Sequence, residues 1–146
     1  MVVGVDFSKA SDYAFLWAYK LAKIVGAKLH VFHALDVNFG SAGQVKVQPE
    51  IERLIEKARK RIKSRLLTKL KDFDNYGVEV WEGIPYIEIL KYSRQVNGDL
   101  IVMAHHTREI DPEEALLGST VEQVVLRASC PVASVNHPDK VADIMA

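Results

Sequence analysis

The feature that most constrains the fold is a regular alternation of short apolar runs with longer segments of helical periodicity. Five runs of five to seven residues read as strands, at 2–6, 28–34, 77–81, 99–103 and 131–135. The first, Val2-Val3-Gly4-Val5-Asp6, is almost continuously apolar, which is typical of a strand buried on both faces. Strands that alternate with helices imply right-handed crossovers. The sequence therefore predicts a five-stranded, parallel, doubly wound α/β domain.

Four segments between these strands carry apolar residues at spacings of three and four, which is typical of helices. The first is capped by Ser8 or Ser11 and ends at Gly26, a residue suited to a left-handed C-terminal position. The second begins with Pro49 in its first turn, and the third opens at Pro85 and runs to about residue 96. The fourth spans 119–128. The apolar stripe of the second helix extends over Ile51, Leu54, Ile55, Ala58, Ile62, Leu66 and Leu70.

Composition restricts the class of protein. The chain has 146 residues, of which 49% are apolar, enough for one domain that buries roughly two-thirds of its unfolded surface. We assign residues 1–137 to this domain and 138–146 to a short tail. Nineteen basic residues balance nineteen acidic ones, which argues against a globally basic nucleic-acid binder. No apolar run approaches the ~20 residues of a membrane span, and the first residues do not resemble a signal peptide.

One cysteine, Cys130, excludes an intrachain disulfide framework and a cysteine-rich zinc site. The expectation is a cytoplasmic protein without a membrane partner. The second helix is rich in lysine and arginine, but three glutamates precede these bases and no aromatic residue lies among them. We interpret this helix as a solvated face and expect no nucleic-acid partner.

Two long loops, at 35–48 and 104–117, follow the second and fourth strands. In a parallel sheet the loops after the strands meet at one edge, where ligands bind at the reversal of strand order. Loops of this length are uncommon in compact domains unless they have a function. The organisation of the chain therefore predicts a site at this edge, close to Asp6.

Individual residues leave the chemistry of that site open. Gly118-Ser119-Thr120 opens the last helix and is suited to binding a phosphate, but Ser119 and Glu122 also form an ordinary capping box. Asp6 either accepts from an adenine amino group or a ribose hydroxyl, or caps the following turn. The pair His30 and His33 falls on opposite faces of a strand, so we expect no metal site.

Catalytic motifs are absent from the sequence. There is no Gly-x-Ser-x-Gly elbow, no Walker-type phosphate loop, and no glycine-rich dinucleotide fingerprint after the first strand. We therefore expect a protein that is not an enzyme.

Several short motifs occur in an order that fits one known family. They are Asp6-Phe7-Ser8, His33-Ala34-Leu35-Asp36, Gly83-x-Pro85, Asp99-Leu100-Ile101-Val102-Met103, Gly118-Ser119-Thr120 and Cys130-Pro131-Val132. In the order and spacing of these motifs, the chain resembles the universal stress proteins over nearly its whole length. That resemblance implies strand order 3-2-1-4-5 and a fold like that of the adenine nucleotide alpha hydrolases.

The resemblance also implies a homodimer, in which the last strands, here Pro131 to Val135, pair antiparallel across a two-fold axis. Pairing agrees with physical expectation, because an apolar edge strand left uncovered favours aggregation. Part of the family binds ATP. By resemblance, Asp6 and Ala34 flank adenine and ribose, Met103 to Thr107 wrap the phosphates from one side, and Gly118-Ser119-Thr120 wraps them from the other.

Family members that bind ATP share a signature of Gly, two residues, Gly, nine residues, and then Gly followed by Ser or Thr. This chain departs from that signature. Ala104 and Thr107 replace two glycines, and ten residues rather than nine separate Thr107 from Gly118. A β-branched residue resists the backbone conformations that glycine allows, and the loop also carries four carboxylates. We therefore expect a stress-response dimer with weak, altered or absent adenine-nucleotide binding. The alternative is an ATP- or AMP-binding switch that uses Gly118-Ser119-Thr120 and Mg²⁺.

Overall fold

The computed structural model describes residues 1–37, 47–105 and 120–135. Its strands are β1 (Val2–Gly4), β2 (Leu29–Leu35), β3 (Tyr76–Glu82), β4 (Ile101–Ala104) and β5 (Val132–Val135). Its helices are α1 (Lys9–Val25), α2 (Gln48–Arg65), α3 (Pro85–Gln95) and α4 (Thr120–Arg127), with a short 3₁₀ turn at Leu67–Lys69.

The five strands form one sheet of order β3-β2-β1-β4-β5 in which every described pairing is parallel. β1 lies in the middle, with Val3 opposite Val31 of β2 on one side and Val102 of β4 on the other. This arrangement confirms the predicted fold and strand order. The order reverses between β1 and β4, so the carboxyl ends of these strands border the expected ligand crevice.

Helix α1 shows how the sequence sets its boundaries. The Ser8 side chain accepts a hydrogen bond from the Ser11 N–H, so Ser8 is the N-cap. Gly26 adopts the left-handed conformation at φ 70° and ends the helix, as predicted. Helix α2 ends at Arg65, earlier than its apolar stripe indicated. The chain tightens there into the 3₁₀ turn, which still leaves Leu66 buried.

Strand lengths differ from the prediction where the site lies. β1 ends at Gly4 rather than at Asp6, whereas β2 continues to Leu35 because it pairs with β3 over seven residues. Two residues beyond Val5, Phe7 turns into the left-handed region at φ 65° and directs the chain into α1. The middle strand therefore stops short of its neighbour, which opens a gap at the edge of the sheet.

Two apolar layers cover the sheet. Phe15, Leu29 and Ile62 are fully buried on the face covered by α1 and α2. Phe32, Ile101 and Val124 are fully buried on the face covered by α3 and α4. Within the described residues, no helix is both long and apolar enough to span a membrane.

Some predictions fall on residues that the structure does not describe. They concern residues 38–46, 106–119 and those after 135. Thr107, Gly118 and Ser119 therefore remain predictions from the sequence, as does the boundary at residue 137.

Candidate functional site

A cavity of about 380 Å³ opens at the carboxyl edge of the sheet, where β1 stops short. It is bounded by the ends of β1, β2 and β4 and by the N-terminal parts of α1, α3 and α4. Five of the predicted site residues, Asp6, Ala34, Met103, Ala104 and Thr120, are brought together in its lining. The other lining residues are Gly4, Val5, Ser11, Phe32, His33, Pro85, Ile89 and Val121.

The floor of the cavity is apolar. Phe32 and Ile89 are almost completely buried there, and Met103 is 8% exposed. Gly4 allows these side chains to approach the strand, because a Cβ at this position would lie 2.8 Å from Ile89 Cδ1 and 3.7 Å from Met103 Cγ. Sequence reasoning named Met103 as a site residue but missed Phe32 and Ile89. A glycine inside a strand is a known sign of close approach and was the one available signal.

The wall formed by β2 presents main-chain polar groups. In the parallel ladder, the Phe32 carbonyl accepts from the Val5 N–H, and the Leu35 carbonyl on the opposite side accepts from Gly83. This alternation directs the N–H and C=O of Ala34 toward the β1 side, beyond the point where β1 ends. Ala34 therefore offers one donor and one acceptor to the cavity.

Asp6 and two serines form a closed set of hydrogen bonds at the cavity mouth. The Ser8 N–H and hydroxyl both donate to Asp6 Oδ1, at 3.0 and 2.6 Å. The Asp6 N–H in turn donates to Ser11 Oγ at 3.0 Å. The Asp6 carboxylate thus caps the turn that follows it, which is one of the two interpretations that the sequence allowed. Asp6 is also solvent-exposed on the cavity lining, so a ligand hydroxyl has access to it.

His33 links the ends of β1 and β2. Its Nδ1 lies 2.6 Å from the Val5 carbonyl oxygen, and its ring packs 4.7 Å from the ring of Phe7. The guanidinium carbon of Arg61 lies over the Phe7 ring, 4.3 Å from its centre, in a cation–π contact. Burial lowers the pKa of His33, and Arg61 lowers it further, although the Val5 hydrogen bond and the Asp6 charge act in the opposite direction.

His30 faces away from His33, which confirms that the two do not converge. Its Nδ1 lies 3.1 Å from the Tyr92 hydroxyl on the α3 side of the sheet. Among the described residues, no group of three or more histidine, cysteine, aspartate or glutamate side chains is placed to hold a metal ion.

Comparison with known proteins identifies the family. The sequence pattern of the universal stress protein family matches residues 1–136. The chain belongs to the universal stress protein family. Universal stress protein MJ0531 of Methanocaldococcus jannaschii is 31% identical to it over 147 aligned positions, which span 96% of this chain and 83% of that protein. Membership indicates a protein of the stress response.

Solved structures of other universal stress proteins share the fold. UspA from Lactobacillus plantarum superimposes with a TM-score of 0.67 at 25% identity, covering 92% of this chain and 95% of that one. The universal stress protein from Archaeoglobus fulgidus in complex with dAMP superimposes with a TM-score of 0.59 at 20% identity, covering 92% and 94%. These neighbours confirm the resemblance to the adenine nucleotide alpha hydrolase fold.

Proposed function

We propose that this stress protein binds the nucleoside part of an adenine nucleotide in the cavity at the edge of the sheet, and that it gains little affinity from the phosphates. The observation that carries the proposal is the cavity itself, in which all the described members of the predicted site meet. Its size falls within the range of small-molecule sites, and its walls are mostly apolar with a few polar groups at the mouth.

The chemistry of the lining fits a purine nucleoside. The apolar floor at Phe32, Ile89 and Met103 suits the faces of a flat aromatic base. The donor and acceptor on the backbone of Ala34 match the acceptor and donor on the edge of adenine. Asp6, at the mouth, is placed to accept from a ribose hydroxyl. A universal stress protein of the same fold has been solved in complex with dAMP.

The sequence is less favourable to binding of the phosphates. Thr107 replaces a glycine of the nucleotide-binding signature, and four carboxylates follow it within the next seven positions of the chain. Like charges at short range repel a triphosphate unless a divalent cation intervenes. The alternative is an ATP- or AMP-binding switch, in which Gly118-Ser119-Thr120 attracts the phosphates and the acidic segment that precedes it in the sequence recruits Mg²⁺.

Calorimetric titration of nucleotide-free protein separates these possibilities. Adenosine, AMP and ATP are titrated in parallel, with and without Mg²⁺. The proposal predicts that all three bind with affinities within about tenfold of one another, because the base and ribose supply most of the free energy. ATP binding that is far tighter than adenosine binding and depends on Mg²⁺ would favour the switch. No heat with any of them at millimolar concentration would contradict the proposal.

A second part of the proposal is a homodimer formed through β5. This strand lies at the edge of the sheet and pairs only with β4 among the described strands. Pro131 and Val135 direct their carbonyls to β4, so the alternation directs the N–H and C=O of Val132 outward. Val125 and Leu126 on the neighbouring helix α4 are 53% and 77% exposed. An open edge beside exposed apolar residues favours pairing with a second copy.

Two variants at one position test the dimer. Val132→Pro removes the outward N–H without removing a bond to β4, whereas Val132→Ala keeps that N–H and loses a similar amount of side-chain packing. Light scattering is expected to show a monomer for the proline variant and a dimer for the alanine variant. Equal masses for the two variants would contradict pairing through this edge.

The proposal includes a location and a mode of action. We place the protein in the cytoplasm, where a chain with a single cysteine needs no disulfide. We also propose that it acts by binding rather than by turnover. Incubation with ATP and Mg²⁺, followed by chromatography of the nucleotides, should leave ATP unchanged, and its hydrolysis at a steady rate would contradict this part.

A further inference from the structure

Ser11 is a buried polar residue in the lining of the cavity. It lies in the first turn of α1 and is 1% exposed. Buried hydroxyl groups normally use both their proton and a lone pair in hydrogen bonds, because an unused donor loses its water without compensation. The partners of this hydroxyl therefore indicate what the cavity is built to hold.

Only one side of the hydroxyl is occupied within the described residues. Its oxygen accepts from the Asp6 N–H at 3.0 Å. The hydroxyl proton of Ser8, the other serine at this turn, already has an acceptor in the Asp6 carboxylate. Ser8 Oγ also accepts from the Ser11 N–H, so this part of α1 is fixed by three hydrogen bonds. The Ser11 hydroxyl proton has no described acceptor, and the side chain borders the cavity.

We propose that the Ser11 hydroxyl donates a hydrogen bond to an acceptor atom of the bound nucleoside, and that this bond helps to select the ligand. The inference rests on the proposed function. It goes beyond that function by naming a hydrogen-bond donor and the kind of ligand atom that it binds. The apolar floor provides no donor of its own, so a directed hydroxyl beside it discriminates between ligands that differ by one acceptor. A site built to donate rejects an analogue that lacks the acceptor, because the donor is then left unpaired.

The test combines Ser11→Ala with adenosine analogues that each lack one acceptor. The analogues are 1-deaza-, 3-deaza- and 7-deazaadenosine, the carbocyclic analogue without the ring oxygen, and the 2′- and 3′-deoxynucleosides. For the wild type, the analogue that lacks the acceptor bound by Ser11 is expected to bind about three- to tenfold more weakly than adenosine, the range of one neutral hydrogen bond. Ser11→Ala should lose the same factor for adenosine and nothing further for that analogue.

Two further variants separate recognition from stability. Ser11→Cys keeps the side-chain volume and replaces the hydroxyl with a weak donor, so it should behave like Ser11→Ala. Ser93→Ala removes a buried serine that does not line the cavity, and it should leave every affinity unchanged. Urea unfolding reports any loss of stability in the same variants.

The outcomes are distinct. A uniform loss of affinity across all the analogues in Ser11→Ala, or no loss at all, would overturn the role of Ser11 and leave the proposed function standing. A wild type that binds none of these nucleosides would overturn the proposed function, and with it the inference.

Discussion

The imidazole of His33 and the main chain of Val5 are joined by a hydrogen bond of 2.6 Å across the ends of two neighbouring strands. The ring nitrogen Nδ1 donates to the carbonyl oxygen, so the neutral imidazole carries its proton on Nδ1. This bond occupies the Val5 carbonyl, which a longer β1 would use in the ladder to β2. The His33 side chain thus replaces a main-chain donor of the ladder at the point where the ladder ends, and both residues line the edge of the cavity.

We predict that the stability of the protein falls on acidification because of this histidine. The pKa of His33 in the folded state is lowered from its ordinary value of 6.5, chiefly by burial. Between the lowered pKa and 6.5, the unfolded chain binds a proton that the folded chain does not. The contribution of His33 to the free energy of unfolding is therefore constant well above pH 6.5, and it decreases as the pH falls below that value.

Urea unfolding from about pH 7.5 down to about pH 5 measures this dependence. His33→Gln should flatten the curve, and His30→Gln should also reduce its slope, since burial lowers the pKa of His30 as well. Stability that increases as the pH falls through this window, or a slope that His33→Gln leaves unchanged, would contradict the assignment.

A second prediction concerns the glycine under the cavity. Gly4→Ala places a methyl group 2.8 Å from Ile89 Cδ1, and overpacking of this kind costs about 1–3 kcal/mol of unfolding free energy. The double variant Gly4→Ala with Ile89→Val removes the conflicting carbon and should recover part of that loss. Chemical denaturation measures both.

Gly77→Ala is the matched control for Gly4→Ala, because Gly77 also lies in a strand and a Cβ there would meet only Lys28 Cε at 4.0 Å. This substitution should be neutral or slightly stabilising. Equal losses for the two glycine variants would show that strand propensity, rather than crowding against Ile89, sets the cost.

A third prediction concerns the ion pair between α1 and α2. Arg65 Nε lies 3.1 and 3.0 Å from the two carboxylate oxygens of Asp12, and a second nitrogen lies 2.9 Å from one of them. The Arg65 side chain is one-third exposed, so solvent screens part of this interaction. Asp12→Asn should therefore lower the free energy of unfolding by about 1 kcal/mol.

Lys91→Gln provides the comparison, since Lys91 pairs with Glu88 at 3.3 Å and is 61% exposed. The Lys91→Gln variant should lose less than about 0.5 kcal/mol of unfolding free energy. Urea unfolding at low and high salt compares the two variants. A larger effect of Lys91→Gln than of Asp12→Asn would contradict the view that burial and two-point geometry decide the strength of these pairs.

Much of the fold was predictable because it depends on local patterns. Apolar spacing identified the helices, and Gly26 and Pro85 marked helix boundaries through their own backbone preferences. Strand order followed from resemblance to a family rather than from periodicity. The end of β1 was predicted wrongly, because it depends on His33 reaching Val5 across the sheet and on Phe7 adopting a left-handed conformation.

The candidate site was predictable only in part. Asp6, Ala34 and Met103 were found because they follow strands that end at one edge of the sheet. Phe32 and Ile89 lie on different elements, and only the packing of α3 against Gly4 brings them to the cavity floor. Ser8 and Ser11 were equivalent candidates for the helix cap, and their separate roles became clear only from the hydrogen bonds that each one makes.

The central claim, that a nucleoside occupies this cavity, is tested most directly by the methyl resonance of Met103. Protein labelled with ¹³C at the methionine methyl groups is titrated with adenosine, and the methyl shifts are followed by NMR. We predict that the Met103 methyl, on the cavity floor, shifts with ligand concentration and reaches saturation. Met1, whose N-terminal amine bonds the Lys28 carbonyl just before β2, should not shift. A Met103 signal that stays unchanged at millimolar adenosine would contradict the account.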